Sequence, residues 1–273
     1  MNADIKKPLE IPSDNNIEES LLFHTSANFL CNFMRKIEFL KMAIRDMAIK
    51  PRYFEEKIEY LGIPEWTSIC FPMTCFCDIP LTKVSYHMQE YGDYGIALNK
   101  NYCISKDVQP ISYLNNNSRL KKDLSEVLAK LYASPPLSEK LRIYPNMILG
   151  QLLYTKPIDG YMQRGDDQPK HLLFKDECEW RYIPEIPEDM PLIMSPIDNT
   201  SEGRNKYSEA LATYKSTWFR FDTDNIEYIV VPDEKEALQM ITYINKLKNR
   251  TMNDKQKLIS KIEISQKIQN NFI

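Results

Sequence analysis

From Leu21 to Val231 the chain alternates short apolar runs with helix-period stretches at uneven intervals, and several short runs follow one another with no helix between them. A regular doubly wound sheet needs a crossover helix between each pair of parallel strands. The spacing therefore predicts a mixed α+β fold. Glycine agrees: there are only seven in 273 residues, and none sits in a Gly-rich phosphate loop or dinucleotide fingerprint. Apolar residues at 43% and charged residues at 27% match ordinary globular usage and exclude disorder throughout. A net charge of −3 argues against a globally basic nucleic-acid wrapper, though not against a local basic patch.

Residues 1–19 read as a loose polar leader without an apolar signal segment. Leu21–Thr25 reads as a short strand delivering His24 and Thr25. Phe29, Leu30, Phe33, Ile37, Leu40 and Ile44 recur at helical spacing and predict a helix over 27–44. Strands are expected at Met73–Cys77, Gly95–Leu98, Val108–Leu114, His171–Ile183 and Glu227–Val231, with helical turns over Val84–Tyr91. Helices over 118–132 and 137–154 form a helical insertion near 118–154, followed by a polar loop over 155–170 and a helix from Pro232 to Lys246. These elements make a single domain over 20–245. The segment 246–273 carries seven Lys/Arg against Asp254 and Glu263, and reads as a basic C-terminal helix and tail.

No apolar run approaches bilayer length, so a cytoplasmic protein with no membrane partner is expected. Its six cysteines are then reduced thiols, mostly buried. Cys70, Cys75, Cys77 and His87 lack the paired-knuckle spacing of structural zinc, and no metal is expected.

The stretch 176–182, DECEWRY, places Glu177 and Glu179 two apart. On a strand, residues two apart point the same way, so both carboxylates would share one face. The plain reading is a half-exposed strand. The sharper one is a catalytic glutamate pair.

Four stretches, FHTS at 23–26, CFCDIPL at 75–81, HMQEYGDYGIAL at 87–98 and DECEWRY, resemble the AbiGi-like abortive-infection family of bacterial phage defence. The resemblance covers roughly residues 20–115 and 170–232. The family label is often "antitoxin", which names a genetic context rather than a chemistry. It implies a cognate toxin or antitoxin partner. A more distant resemblance is to ADP-ribosyltransferases, whose fold is a split mixed β-sheet core flanked by helices with NAD, the co-substrate, in a cleft between two small sheets.

That second resemblance implies roles. His24 would bond the adenosine-side ribose, with Thr25 beside it. Tyr94 or Tyr91 would stack on nicotinamide. Glu179 would bind the nicotinamide ribose and stabilise the oxocarbenium ion, and Glu177 would orient or deprotonate an RNA, DNA or protein acceptor. Arg52 is the first candidate for the pyrophosphate and Arg181 the second. The central strand lacks the family's Ser-Thr-Ser, carrying Thr74, Cys75 and Cys77 instead. The leading expectation is a toxin or effector ADP-ribosyltransferase. The alternatives are a non-catalytic antitoxin-like or sensor protein that binds a partner toxin or phage component, and an NAD glycohydrolase.

Overall fold

The ten-residue strand Ser68–Cys77 organises the sheet. The structure is a computed structural model that describes residues 26–64, 66–133, 143–162 and 168–270. In chain order it begins with β1 (Phe29–Met34), α1 (Ile37–Asp46), β2 (Ala48–Ile49), β3 (Arg52–Lys57) and β4 (Ser68–Cys77). Next come α2 (Ser85–Tyr91), β5 (Tyr94–Asn99), α3 (Lys100–Ser105), β6 (Gln109–Pro110), β7 (Ser112–Leu114), α4 (Arg119–Ala133) and α5 (Ile143–Leu153). Then follow β8 (Thr155–Pro157), β9 (Gly160–Met162), β10 (Lys170–Leu172), β11 (Glu179–Tyr182), α6 (Ser201–Leu211) and β12 (Phe219–Arg220). The chain ends with β13 (Ile226–Val231), α7 (Glu234–Lys246), α8 (Met252–Ile259), β14 (Ile262–Ile264) and α9 (Ser265–Asn270).

Eight strands form one sheet in the order β14-β13-β5-β1-β4-β11-β6, with β3 also on β4. Its pairs are antiparallel except β13 with β14, which makes the sheet mixed, as expected, with helices on both faces. β4 is shared along its length. Its first part pairs with β3, from Ser68↔Lys57 to Met73↔Arg52, and its last part with β11, from Thr74↔Tyr182 to Cys77↔Glu179. Pro72 has no amide to donate. Its cross-strand partner Tyr53 turns its own N–H to Ser208 Oγ at 3.0 Å, so β4 runs through the proline and starts earlier than the expected Met73.

The two faces bury different cores. On one, Leu30, Phe76, Ile96, Leu98 and Ile229 meet Leu40 and Ile44 of α1, Met240 and Ile244 of α7 and Leu258 of α8. On the other, Phe71 and Met73 pack under Leu128 of α4 and Leu152 and Leu153 of α5, while Cys31, Cys77 and Ala97 line the other half. Along β11, Trp180 and Tyr182 pack on the first core. Period-two alternation then sends Glu179 and Arg181 to the second face, opposite Cys77 and Cys75.

Several expectations give way to tertiary pairing. The helix expected over 27–44 starts at Ile37. Phe29–Met34 is instead an extended strand, fully paired with β5 from Phe29↔Asn99 to Met34↔Tyr94. The polar loop expected over 155–170 supplies β8 and β9, β8 pairing in parallel with β7. The helix expected over 137–154 is by contrast present, from Ile143 to Leu153 among the described residues. After residue 246, Leu258 is fully buried and β14 extends the sheet beside β13. The strand expected at Leu21–Thr25 lies outside the described residues. Among the described residues no helix is long and apolar enough to cross a membrane.

Candidate functional site

The strand expected across His171–Ile183 is broken. β10 ends at Leu172, a 3-10 turn covers Phe174–Glu177, and Cys178 adopts the left-handed region at φ 43° before β11 begins. Glu177 therefore leaves the strand, and the period-two argument for the acid pair does not hold. The two carboxylates meet all the same. The turn and the left-handed residue swing Glu177 back toward Glu179, and both reach one lysine. Asp78 N–H donates to Cys178 O at 3.0 Å, and Ile111 N–H to Glu179 O at 3.1 Å, fixing the backbone on either side of Glu179.

The lysine is Lys156, the centre of β8. Its Nζ lies 2.6 Å from Glu177 Oε2 and 3.2 Å from Glu179 Oε2, and 4.5 Å from the Phe174 ring centroid. Arg181 completes the set. Its Nε donates to Glu179 Oε1 at 2.6 Å and its Nη1 to Leu153 O at 2.6 Å. Nη2 lies 3.2 Å from Glu56 Oε2, an ion pair without the alignment of a hydrogen bond. Tyr91 donates its hydroxyl to Glu177 Oε1, and His87 stacks on Tyr91 at 4.3 Å. Tyr113, opposite Lys156 in the β7–β8 register, accepts the Glu179 N–H at 2.9 Å. The sequence Glu56, Arg181, Glu179, Lys156, Glu177, Tyr91 is thus one chain of alternating partners.

This chain is dry. Glu177 and Glu179 are each 8% exposed, Lys156 6% and Arg181 0%. Burial raises a carboxyl's pKa, but beside Glu179 the charges of Arg181 and Lys156 outweigh it and hold that carboxyl well below the usual range. Burial likewise opposes the ammonium of Lys156, and Glu179, Glu56 and Glu177 together overcome it and hold its pKa well above the ordinary lysine value. Three carboxyl groups, those of Glu56, Glu177 and Glu179, face the two cations. Glu179, bracketed by both cations, is the most fully compensated member.

Of the residues the sequence singled out, Glu177, Glu179, Arg181 and Tyr91 come together here. Arg181 does so as a buried partner of Glu179, not as an accessible donor. Arg52 does not join them: it is exposed on β3 and its Nη2 donates to Asn205 Oδ1 at 2.9 Å. Tyr94 packs against the first core, on the other face of the sheet, and burial raises its phenol pKa with help from Glu236 and Asp93. His24 and Thr25 lie outside the described residues. Sequence reading missed Lys156, Glu56 and Tyr113. Nothing in the local pattern marked Lys156, which stands in a stretch that reads as a polar loop.

Residues 46–232 match the family described as "Putative abortive phage resistance protein AbiGi, antitoxin". The chain belongs to the AbiGi family. It is 33% identical over 257 residues to "Abortive phage resistance protein AbiGi" of Lactococcus lactis subsp. cremoris, an alignment spanning 83% of this chain and all of that relative. The matched region runs from the end of α1 to Pro232, and so contains the whole Glu56–Tyr91 network. No solved structure matches the chain. The role in abortive phage resistance accordingly rests on sequence kinship within AbiGi.

Proposed function

We propose that the chain is a non-catalytic, antitoxin-like component of abortive phage resistance that acts by binding a protein partner, the toxin of its own defence system. The observation that carries this reading is the state of Glu179. A carboxylate stabilises a developing positive charge only if its own charge is available when that charge forms. Glu179 is dry and already compensated by Arg181 and Lys156. Its electrostatics favour holding β8, β11 and β3 together over catalysis. The family's description as an antitoxin supports the same reading.

The test is expression of the chain alone and together with that toxin. Growth should be normal with the chain alone, purified protein should not consume NAD, and co-expression should relieve the toxin through a stable complex. Toxicity of the chain alone, abolished by Glu179→Gln in a variant that still folds, would overturn the reading.

One observation favours a second reading, NAD-dependent ADP-ribosyl transfer: Tyr91, Glu177 and Glu179, three of the residues which that chemistry would use, do converge. On that reading NAD entry would have to displace Lys156 or Arg181 from Glu179, with His24, Thr25, Arg52 and Tyr94 drawn to the same place. Release of nicotinamide by the wild type and not by Glu179→Gln is its required signature.

A further inference from the structure

Away from the buried network, β2 and β12 form a two-stranded ribbon, with Phe219 opposite Ile49 and Arg220 opposite Ala48. Its buried side chains pack on the first core, on the sheet face remote from Glu179. Its outer edge carries Trp218, whose Nε1 donates to Ala212 O at 3.0 Å and so fixes the indole. Two cations address that one ring: Lys50 Nζ lies 4.3 Å from its centroid and Arg220 Cζ 5.2 Å. The strip continues in both directions. Lys50 lies 2.9 Å from Asp46 Oδ2, which it shares with Arg45 at 3.2 Å, while Arg45 Nε lies 2.8 Å from Oδ1. At the other end Tyr102 donates to Arg220 O at 2.7 Å and has Lys106 at 5.6 Å from its ring centroid.

The charges do not balance here. Asp46, lowered to about 2 chiefly by its hydrogen bond from Arg45, serves two cations at once. Arg220 makes no salt bridge among the described residues. Asp222 acts on Tyr102 and lies two residues beyond Arg220, and Asp107 follows Lys106, so along the strip the four cations Arg45, Lys50, Lys106 and Arg220 meet the three acids Asp46, Asp107 and Asp222. In a chain of net charge −3 this is a local reversal of sign. Two like charges held against one indole repel each other, and a bound anion relieves that repulsion.

We infer that this ribbon is a binding surface for single-stranded nucleic acid. A row of cations interleaved with aromatic rings is the chemistry that tracks a phosphodiester backbone while offering π surface to its bases. An acidic protein would satisfy the charges without using the half-buried rings of Trp218 and Tyr102, and is the competing outcome.

The experiment uses the full chain and a fluorescein-labelled oligothymidylate and oligouridylate of about 12 nucleotides each. Anisotropy is followed as salt rises from about 50 to about 200 mM. Lys50→Glu with Arg220→Glu should weaken binding about ten-fold or more and lower the log–log salt slope by about 1.4, two phosphate contacts at about 0.7 each. Lys130→Glu with Lys267→Glu makes the same net-charge change elsewhere and should leave affinity within about two-fold. Thermal unfolding checks that each variant is folded, and Trp218→Phe, which loses the Nε1 bond to Ala212 O and one ring of stacking surface, should weaken binding while leaving the salt slope unchanged. The inference is overturned if the wild type binds neither oligonucleotide, if the two charge-reversed pairs lose affinity equally, or if polyglutamate binds as tightly as the oligonucleotides. These outcomes are independent of whether the chain neutralises a toxin, because none of the substituted residues touches the Glu179 network.

Discussion

Lys156 Nζ lies 2.6 Å from Glu177 Oε2, with both side chains almost wholly out of water. Each was taken from solvent at a cost that only the other charge, Glu179 and the surrounding hydrogen bonds offset. Removing the cation while leaving the acids should expose that cost. Lys156→Met is expected to destabilise the fold by about 3–5 kcal/mol, the range for breaking a buried pair from one side. Adding Glu177→Gln should recover part of the loss, because fewer uncompensated charges remain. Urea unfolding of the two variants measures both effects, and a loss below about 1 kcal/mol for Lys156→Met would show that the cluster is not structural.

The same network sets the acid limb of stability. Glu179 has a folded pKa below its unfolded one, so in the window between them the unfolded chain binds more protons. Its contribution is therefore present above the unfolded glutamate value of about 4.3 and is lost as pH falls through the folded value. Lys156 has the opposite sign: raised in the fold, its contribution is complete below about 10.4 and lost as pH climbs through the folded value. The stability profile should be flat at neutral pH with falls at both ends. Glu179→Gln should flatten the acid fall, and denaturant midpoints taken across pH measure it. An acid limb identical in wild type and variant would remove Glu179 as its cause.

What was legible in the sequence was the residue set more than the geometry. DECEWRY marked Glu177, Glu179 and Arg181, and those three do share one cluster. Period two explained the wrong thing, because a left-handed Cys178 bends the chain between the acids, and no side-chain pattern announces a positive φ at cysteine. Phe29, Leu30 and Phe33 fit a helix, yet pairing with β5 decided otherwise, since strand pairing depends on residues some seventy positions away. Lys156 was hidden for the same reason. A lysine in a polar stretch reads as solvated until the tertiary fold brings two carboxylates to it.

Gly92 and Gly150 form a matched pair for the backbone argument. Gly92 links α2 to β5 at φ 123°, and a Cβ there would stand 2.3 Å from Met34 O. Neither the backbone angle nor the neighbouring strand can yield cheaply. Gly92→Ala should cost more than about 3 kcal/mol, beyond the usual strain of about 1–3 kcal/mol for such a conformation alone once the clash is added. Gly150 lies inside α5, and among the described residues nothing comes within 4 Å of where a Cβ would stand. Gly150→Ala should stabilise by about 0.5–1 kcal/mol through helix propensity. Thermal midpoints moving in opposite directions are the expected result.

The thiols offer a probe of the bend itself. Cys178 is the exposed cysteine, Cys75 is half-buried, and Cys31, Cys70, Cys77 and Cys103 are buried. Partial burial, reinforced by Asp78 and Asp176, raises the Cys178 thiol above its ordinary value, which slows but does not block reaction. A disulfide-exchange reagent added to native protein at neutral pH should therefore label one thiol in a first phase, slower than free cysteine, and Cys178→Ser should remove that phase. The buried four should react only as fast as the fold opens, and so should accelerate in Lys156→Met, whose unfolding is easier. Had Cys178 instead continued a regular strand from Glu177 to Glu179, it would point with Trp180 into the first core and resist labelling like the others. Peptide mapping of the first-labelled site decides between the two geometries.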